Sequence, residues 1–190
     1  MVVRLCSAGR TSKLKGSCDT ACVGGSASIA STEINMSQSI APKLHPHHVG
    51  FTGTQRGMTA AQFAAVSELL LRWFPHELTR PTRAATFHHG DCIGADEQAH
   101  VIARICGYFI VGHPPTDPTK RARCAFDFTM TPAPYLNRNA AIVTSTEALI
   151  ATPGETTEQR RSGTWATIRR ARALRRPTTI VWPDGTHTET

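Results

Sequence analysis

The chain has 190 residues, of which 40% are hydrophobic and 18% charged, which is typical of a soluble globular domain with an extension. No apolar run approaches the roughly 20 residues that a transmembrane helix needs, which excludes an integral membrane protein of the helical type. The formal net charge of +7 suits an anionic partner or a phosphorylated ligand.

Residues 1–44 combine Ser, Gly, Thr and Ala with scattered basic residues and little periodicity. This composition predicts a disordered extension, with an organelle-targeting peptide as the alternative because no acid precedes Asp19. Residues 45–190 are assigned to one folded domain. No apolar core follows the first basic residue, and the six cysteines show no CxxC pair. We therefore expect a cytoplasmic protein with reduced thiols.

Strand and helix patterns then alternate along the chain. Short apolar runs followed by glycine or polar residues predict five strands, at 48–53, 84–88, 108–111, 148–151 and 178–182. Helical spacing of apolar residues predicts four helices, at 60–74, 95–106, 135–143 and 164–175. Residues 113–134 are rich in Pro, Thr and Arg and predict a long connection. The alternation predicts an α/β fold, a Rossmann-like three-layer sandwich with a mostly parallel five-stranded sheet.

In such a sheet the loops that follow the strands gather at one edge and hold the ligand. The first of these loops contains Gly53, Thr54, Arg56 and Gly57 just before a helix. Glycine permits close backbone approach, Arg56 offers a forked cation, and a helix start offers free N–H groups, so the pattern indicates a phosphate contact. The alternative is an ordinary turn with Arg56 in a surface ion pair. The loop is neither GxGxxG nor a P-loop, so neither dinucleotide binding nor ATP hydrolysis follows.

The second loop has the same order of strand, glycine and helix. Gly90 and Gly94 permit close approach, and Asp91 and Asp96 are candidates for binding ribose hydroxyls. For Asp96, capping or stabilisation of the helix dipole explains the residue equally well.

A metal site formed by His88, His89, Asp91 and His100 is the competing interpretation of this loop. Adjacent residues of a strand point to opposite faces, so His88 and His89 are poorly placed to bind one ion. We therefore expect no metal and no cofactor. Cys92 has no assignable base partner, which favours a structural thiol.

A third loop leads into the last helix through Ser162, Gly163 and Thr164. Their N–H groups and hydroxyls suit a phosphate, whereas simple capping by Ser162 is the alternative. Trp165 belongs either to the core or to a stacking platform, and base rates favour the core. The seven arginines between 160 and 176 favour a solvated helix face over a nucleic-acid surface.

Four motifs together resemble the SLOG superfamily, which joins the DNA-processing protein A group with the Lonely-guy cytokinin-activating phosphoribohydrolases. The motifs are residues 53–58 (GTQRGM), 90–96 (GDCIGAD), 135–139 (YLNRN) and 161–167 (RSGTWAT). The chain is most similar to the stand-alone bacterial or phage type. The resemblance covers about residues 48–185 and leaves the extension unexplained.

The resemblance implies a Rossmann-like sheet that binds nucleotides or molecules derived from them. It implies a set of ligand contacts at Gly53, Thr54, Arg56, Gly90, Asp91, Gly94, Asp96, Arg138, Gly163 and Thr164. Lonely-guy enzymes carry PGGxGTxxE with a catalytic Glu, whereas here Pro153-Gly154 is separated from Gly163-Thr164 and Thr167 stands at the Glu position. Glu155 or Glu158 would take that role if their loop folds over the ligand, with Arg138 as a helix-borne phosphate or catalytic arginine.

Three functions follow from these residues. The first is a module that senses or sequesters a phosphorylated nucleotide-type ligand. The second is a nucleoside-monophosphate phosphoribohydrolase, an N-glycosidase whose carboxylate would come from Asp91, Asp96, Glu155 or Glu158. The third, single-stranded DNA binding, ranks last because aromatic residues are only 6% of the chain. The sequence leaves the oligomeric state open, a homo-oligomer included.

Overall fold

The structure, a computed structural model, describes residues 46–74 and 85–190. The predicted extension, its boundary at residue 44 and the predicted stop at Pro75 lie outside these residues. Within them the strands are β1 His48–Gly53, β2 Thr86–His89, β3 Phe109–Gly112, β4 Phe128–Thr129, β5 Ala148–Thr152, β6 Thr178–Val181 and β7 His187–Glu189. The α-helices are α1 Ala60–Trp73, α2 Ala95–Cys106, α3 Tyr135–Thr144 and α4 Gly163–Ala173.

The described strands form one sheet in the order β4-β3-β2-β1-β5-β6-β7. All neighbours run parallel except β6 and β7, which are antiparallel. From β1 the chain builds outward first through β2 and β3, and later on the other side through β5 and β6. The strand order therefore reverses between β1 and β5. In open parallel sheets such a reversal opens a crevice at the carboxyl ends of the two strands.

The prediction of five strands was wrong, because the described part of the chain contains seven. The two missed strands lie at the sheet edges and are only two and three residues long. Both are exposed along their whole length, so they show no alternation of apolar and polar residues. The predicted 113–134 connection contains β4 and a short 3₁₀ helix at Pro118–Lys120.

Alternate residues of the central strands face different helix layers. Val49, Phe51 and Ile150 pack in one cluster with side chains of α1 and α2. Leu149 packs instead with Ile142 and Val143 of α3 and Ala171 of α4. The sheet thus lies between two helix layers, which confirms the α/β class and explains why its inner strands β1, β2, β5 and β6 are almost wholly buried.

Local signals in the sequence place the helix starts correctly. Thr59 caps α1 in a capping box, in which Thr59 Oγ1 accepts from Gln62 N–H and Gln62 Oε1 accepts from Thr59 N–H, both at 3.1 Å. The Gln62 side chain is buried and also donates to the carbonyls of Pro153 and Val181 at 2.9 Å. This amide ties α1 to the end of β6 and to the residue that follows β5.

No helix in residues 46–74 or 85–190 is both long enough and apolar enough to cross a bilayer. The cytoplasmic location stays a prediction from the sequence.

Candidate functional site

A cavity of about 470 Å³ lies at the carboxyl ends of β1 and β5, where the strand order reverses. It draws its walls from the loops after β1, β2 and β5, from the first turns of α2, α3 and α4, and from Lys120. The lining residues that carry the chemistry are Gly53, Thr54, Arg56, Cys92, Asp96, Lys120, Tyr135, Arg138, Asn139, Glu155, Arg161, Ser162, Gly163 and Thr164. The three loops expected to gather at one edge of the sheet therefore do so.

The loops after β1 and β5 are joined across the mouth of the cavity. Thr54 N–H donates to the carbonyl of Thr152 at 3.1 Å. Arg56 Nη2 donates to Glu155 Oε1 at 2.5 Å, with the two side chains 72% and 38% exposed. Arg56 therefore forms the surface ion pair of the alternative reading and also lines the cavity, whereas its contact with phosphate stays a prediction. A phosphate entering here would compete with Glu155 for the guanidinium.

The start of α2 packs against the first loop, and of the residues of this helix only Asp96 lines the cavity. Ala95 N–H donates to the carbonyl of Thr54 at 3.1 Å. Met58 N–H donates to Gln98 Oε1 at 2.6 Å, beside Gly57. A Cβ on Gly94 would lie 2.4 Å from the carbonyl oxygen of Gln55. The Ala95 N–H group at this helix start is thus used to join two loops.

Four predicted contact residues, Gly57, Gly90, Asp91 and Gly94, are absent from the cavity lining. Asp91 is fully buried and accepts from Arg121 Nε at 2.6 Å and from Cys124 N–H at 2.9 Å. It therefore anchors the 113–134 connection. A ligand contact by these four residues stays a prediction that the cavity does not favour.

Asp96 and Arg138 form the buried floor of the cavity. Asp96 Oδ2 accepts from the N–H groups of Gly90 at 3.0 Å and Cys92 at 3.3 Å. Arg138 Nη1 lies 3.9 Å from the same oxygen, and Nη2 donates to Cys92 Sγ at 3.1 Å. A Cβ on Gly90 would lie 1.3 Å from Arg138 Nη1, so glycine there makes room for the guanidinium. Arg138 is therefore buried in the site and is not an exposed charge on the surface of α3.

Burial raises the pKa of the Asp96 carboxyl to about 6, even though Arg138 and the two N–H donors favour the charged form. Burial also raises the pKa of the Cys92 thiol, which is consistent with a structural cysteine. The Asp96 carboxylate accepts a hydrogen bond from the backbone of the loop before α2. It also lies in the first turn of α2, where a negative charge interacts favourably with the helix dipole, as predicted. A buried carboxyl that changes charge near neutral pH is characteristic of functional sites.

The start of α4 faces the cavity as predicted. Ser162 is the N-cap, and its Oγ accepts from Trp165 N–H at 3.4 Å. The cap side chain binds the N–H group of Trp165. The N–H groups of Gly163 and Thr164 come earlier in the first turn and have no carbonyl partner within the helix, so they can bind a ligand. A Cβ on Gly163 would meet nothing within 4 Å. Gly163 is exposed, so the backbone at the start of α4 is accessible to a ligand.

Glu158 and Trp165 lie away from the cavity lining. Glu158 Oε1 accepts from Arg169 and Oε2 accepts from Arg172, both at 3.0 Å, which ties the 152–164 loop to α4. Trp165 is 2% exposed and packs with Ile168 and Ile180, which confirms the core assignment.

Sequence reasoning did not select several lining residues as ligand contacts, among them Lys120, Tyr135 and Arg161. Tyr135 opens α3, and its ring stacks under the Arg138 guanidinium at 5.7 Å. A signal for Tyr135 was available, since it begins the YLNRN motif that contains Arg138. Lys120 gave no such signal, because it meets the second loop only through a tertiary contact, in which Ile93 N–H donates to the Lys120 carbonyl at 3.0 Å.

The adjacent histidines of β2 face opposite sides of the sheet, as predicted. His88 Nδ1 lies 3.0 Å from His113 Nε2, whereas His89 Nε2 lies 3.1 Å from His100 Nδ1. Burial, with the neighbouring His113, lowers the pKa of His88 to about 3, so the ring stays neutral.

His89, His100 and Cys124 have ligand atoms within 4.8 Å of one another and form the group best placed to hold an ion. The hydrogen bonds of His89 oppose this. Asp91 N–H donates to His89 Nδ1 at 3.2 Å, so the proton resides on Nε2, which donates to His100. A metal would need that nitrogen deprotonated. The geometry supports the expectation of no metal, which stays a prediction.

No protein-family model and no curated protein matches the sequence. The fold is similar to that of the molybdenum cofactor binding protein from the phototrophic bacterium Rippkaea orientalis, with 17% identity and a TM-score of 0.52, over 70% of this chain and 75% of that one. TM1055, a Northeast Structural Genomics Consortium target, aligns with 15% identity and a TM-score of 0.47, over 69% of this chain and 71% of that one. At such identity the first likeness shows a shared Rossmann-like α/β fold. The SLOG resemblance stays a prediction from the motifs.

Proposed function

We propose that this protein binds a phosphorylated, nucleotide-type small molecule in the cavity between β1 and β5, as a sensor or sequestering module. The observation that carries the proposal is the start of α4. There Gly163 and Thr164, whose N–H groups have no carbonyl partner within the helix, line a cavity that is also lined by Arg56 and Arg138.

The balance of charge in the cavity supports an anionic ligand. Its lining contains four cationic side chains and two carboxylates. Arg56 pairs with Glu155 and Arg138 lies beside Asp96. Within residues 46–74 and 85–190, Lys120 and Arg161 have no carboxylate within ion-pair distance. Two cations are thus left to neutralise a phosphate dianion.

The ligand should be recognised through its phosphate before its base. The donors at α4 and the arginines select phosphate oxygens, whereas Tyr135 is the aromatic side chain in the lining that can stack on a base. Nucleoside monophosphates with different bases should therefore bind within about one decade of each other, a spread of about 1.4 kcal/mol. The matching nucleosides should bind at least about a hundredfold more weakly, because charge-assisted hydrogen bonds of about 1.5–3 kcal/mol each are lost. Calorimetric titration measures both series, and equal affinity of a nucleoside and its monophosphate would contradict the phosphate site.

Replacing Arg56 by Ala should weaken monophosphate binding by roughly ten- to a hundredfold. The change removes a charge-assisted contact worth about 1.5–3 kcal/mol and leaves Glu155 unneutralised beside the phosphate. Arg160→Ala removes the same side chain from the neighbouring loop, outside the cavity lining, and is the matched control. If both variants bind like the parent protein while remaining folded, Arg56 acts only in its surface ion pair.

A second candidate function, N-glycosidic hydrolysis of a nucleoside monophosphate, is favoured by one observation. Asp96 places a buried carboxyl with a raised pKa in the lining of the same cavity. Incubation of the purified protein with nucleoside monophosphates, followed by chromatography for free base, separates hydrolysis from binding alone.

A further inference from the structure

We propose that the protein has a second binding site, at the amino edge of its sheet, which takes a small organic anion with a flat apolar body, such as an aromatic carboxylate. The site is a cavity of about 970 Å³ at the first residues of β5 and β6, Ala148 and Thr178. We call it the amino-edge cavity. It shares no lining residue with the candidate functional site at the carboxyl edge, so the inference does not rest on the proposed function.

The walls of the amino-edge cavity are mostly apolar. Leu69 and Trp73 come from the C-terminal part of α1, and Pro177 comes from the turn before β6. Trp73 is half-buried and also packs against the main core, which holds its indole ring at the wall. Apolar walls with few polar groups are typical of small-molecule sites, and an aromatic ring in the wall favours a flat apolar ligand.

The charged side chains in the wall favour a negatively charged ligand. They comprise four arginines and two glutamates: Arg72, Arg172, Arg175, Arg176, Glu147 and Glu189. Arg72 and Arg172 are each paired with a glutamate outside the wall. Arg175 and Arg176 have no carboxylate within ion-pair distance in residues 46–74 and 85–190. Two guanidinium groups are therefore available to an anion that enters the cavity.

The Arg176 side chain carries a donor that the folded chain does not satisfy. Arg176 is half-buried, and its Nε atom is buried without a hydrogen-bond partner. A buried donor without a partner costs free energy. A carboxylate bound across the Nε and Nη groups of the guanidinium would recover that free energy through two parallel hydrogen bonds.

Arg175 holds a backbone conformation that glycine usually provides. Helix α4 ends in a Schellman motif, in which Arg176 N–H donates to the Ala171 carbonyl at 2.9 Å. In the same motif Arg175 N–H donates to the Arg172 carbonyl at 3.0 Å. Arg175 occupies the left-handed position, with φ +52°, where the Cβ of any other residue is strained relative to glycine. An arginine retained at such a position has a folding cost that a binding role for its guanidinium accounts for.

The test is calorimetric titration of the full-length protein with cinnamate, an aromatic carboxylate, and with cinnamamide, its neutral analogue. Cinnamate should bind with one-to-one stoichiometry. Cinnamamide keeps the apolar body without the charge and should bind at least about tenfold more weakly, because the charge-assisted hydrogen bonds are lost. Inorganic phosphate, which has charge but no apolar body, should not displace cinnamate when the ionic strength is held constant.

Arg175→Gly should weaken cinnamate binding by roughly ten- to a hundredfold. The melting temperature of this variant should stay the same or rise, because glycine relieves the strain at φ +52°. A purely structural role for Arg175 does not produce a loss of affinity without a loss of stability. Arg176→Gln should weaken binding to a similar extent. Arg170→Ala removes a guanidinium from the last turn of α4, outside the cavity wall, and should bind cinnamate like the parent protein.

The inference is wrong if cinnamate does not bind in the millimolar range, or if Arg175→Gly and Arg176→Gln both keep the parent affinity. Equal binding of cinnamate and cinnamamide would show an apolar surface without selection for an anion. Displacement of cinnamate by phosphate, or weaker cinnamate binding by Arg56→Ala, would place the probe in the candidate functional site and would likewise overturn the inference. Binding of nucleoside monophosphates bears on the proposed function alone, so the two proposals fail separately.

Discussion

Gly163→Asp should abolish measurable phosphate binding while leaving the protein as stable as the parent, or more so. A carboxylate about 4 Å from a phosphate costs roughly 4 kcal/mol per unit charge at an effective dielectric constant of about 20. We therefore expect at least about a hundredfold loss of affinity for nucleoside monophosphates. The fold should tolerate the change, because a Cβ at Gly163 meets nothing within 4 Å. An acid in the first turn of a helix contributes about 0.3–1 kcal/mol of stability.

Gly163→Asn is the matched control, since it has nearly the same shape as Asp but no charge. It should lose less affinity than Gly163→Asp, and the difference between the two variants isolates the electrostatic repulsion of the phosphate. Calorimetry measures the affinities, and urea denaturation measures the free energy of unfolding. Unchanged monophosphate affinity in a folded Gly163→Asp variant would show that the start of α4 does not bind phosphate.

Gly94→Ala should be among the most destabilising single substitutions in this domain. Gly94 has φ +90° and ψ −121°, a region that is essentially restricted to glycine. The added Cβ would lie 2.4 Å from the carbonyl oxygen of Gln55 and 2.8 Å from the amide nitrogen of Gly57, and backbone atoms cannot move aside. Backbone strain and overpacking each cost about 1–3 kcal/mol, so the free energy of unfolding should fall by about 2–6 kcal/mol.

Gly163→Ala serves as the control for this loss, because it adds the same methyl group at a glycine with open space around it. Its free energy of unfolding should be unchanged or rise by up to about 1 kcal/mol, as expected for replacing glycine in a helix. Chemical denaturation of the two variants in parallel makes the comparison. Equal stability of Gly94→Ala and the parent would mean that the loops before α1 and α2 are not packed as described.

Many residues of the candidate site could be predicted from the sequence, because short-range sequence patterns determine where the loops and helix starts lie. Glycines after apolar strands mark the loops after β1 and β5, and Ser162 marks the start of α4. Parallel strands joined through helices must bring such loops to one edge of a sheet. The cavity accordingly contains Gly53, Thr54, Arg56, Ser162, Gly163 and Thr164, all of which were predicted. The phosphate contact at each of them stays a prediction.

The sequence did not predict which of two similar residues lines the cavity and which packs elsewhere. Gly94 and Gly163 both stand at a helix start, yet one presses on the backbone of another loop and the other borders open space. Asp91 and Asp96 lie five residues apart, yet one is neutralised by Arg121 and the other lines the cavity. These differences depend on which distant segment comes to lie against each residue, and no local pattern contains that information.

By itself, the amino-acid sequence determined the alternation of strands and helices, their caps, the opposite faces of His88 and His89, and the loops that gather at one edge. Each of these follows from interactions within a few residues and from the two-residue and 3.6-residue periods. Only the tertiary structure decided the exposed edge strands β4 and β7, the burial of Arg138 beside Asp96, and the pairing of Glu155 with Arg56. Those depend on contacts between segments up to 99 residues apart, where packing and charge neutralisation, rather than local propensity, determine which side chains meet.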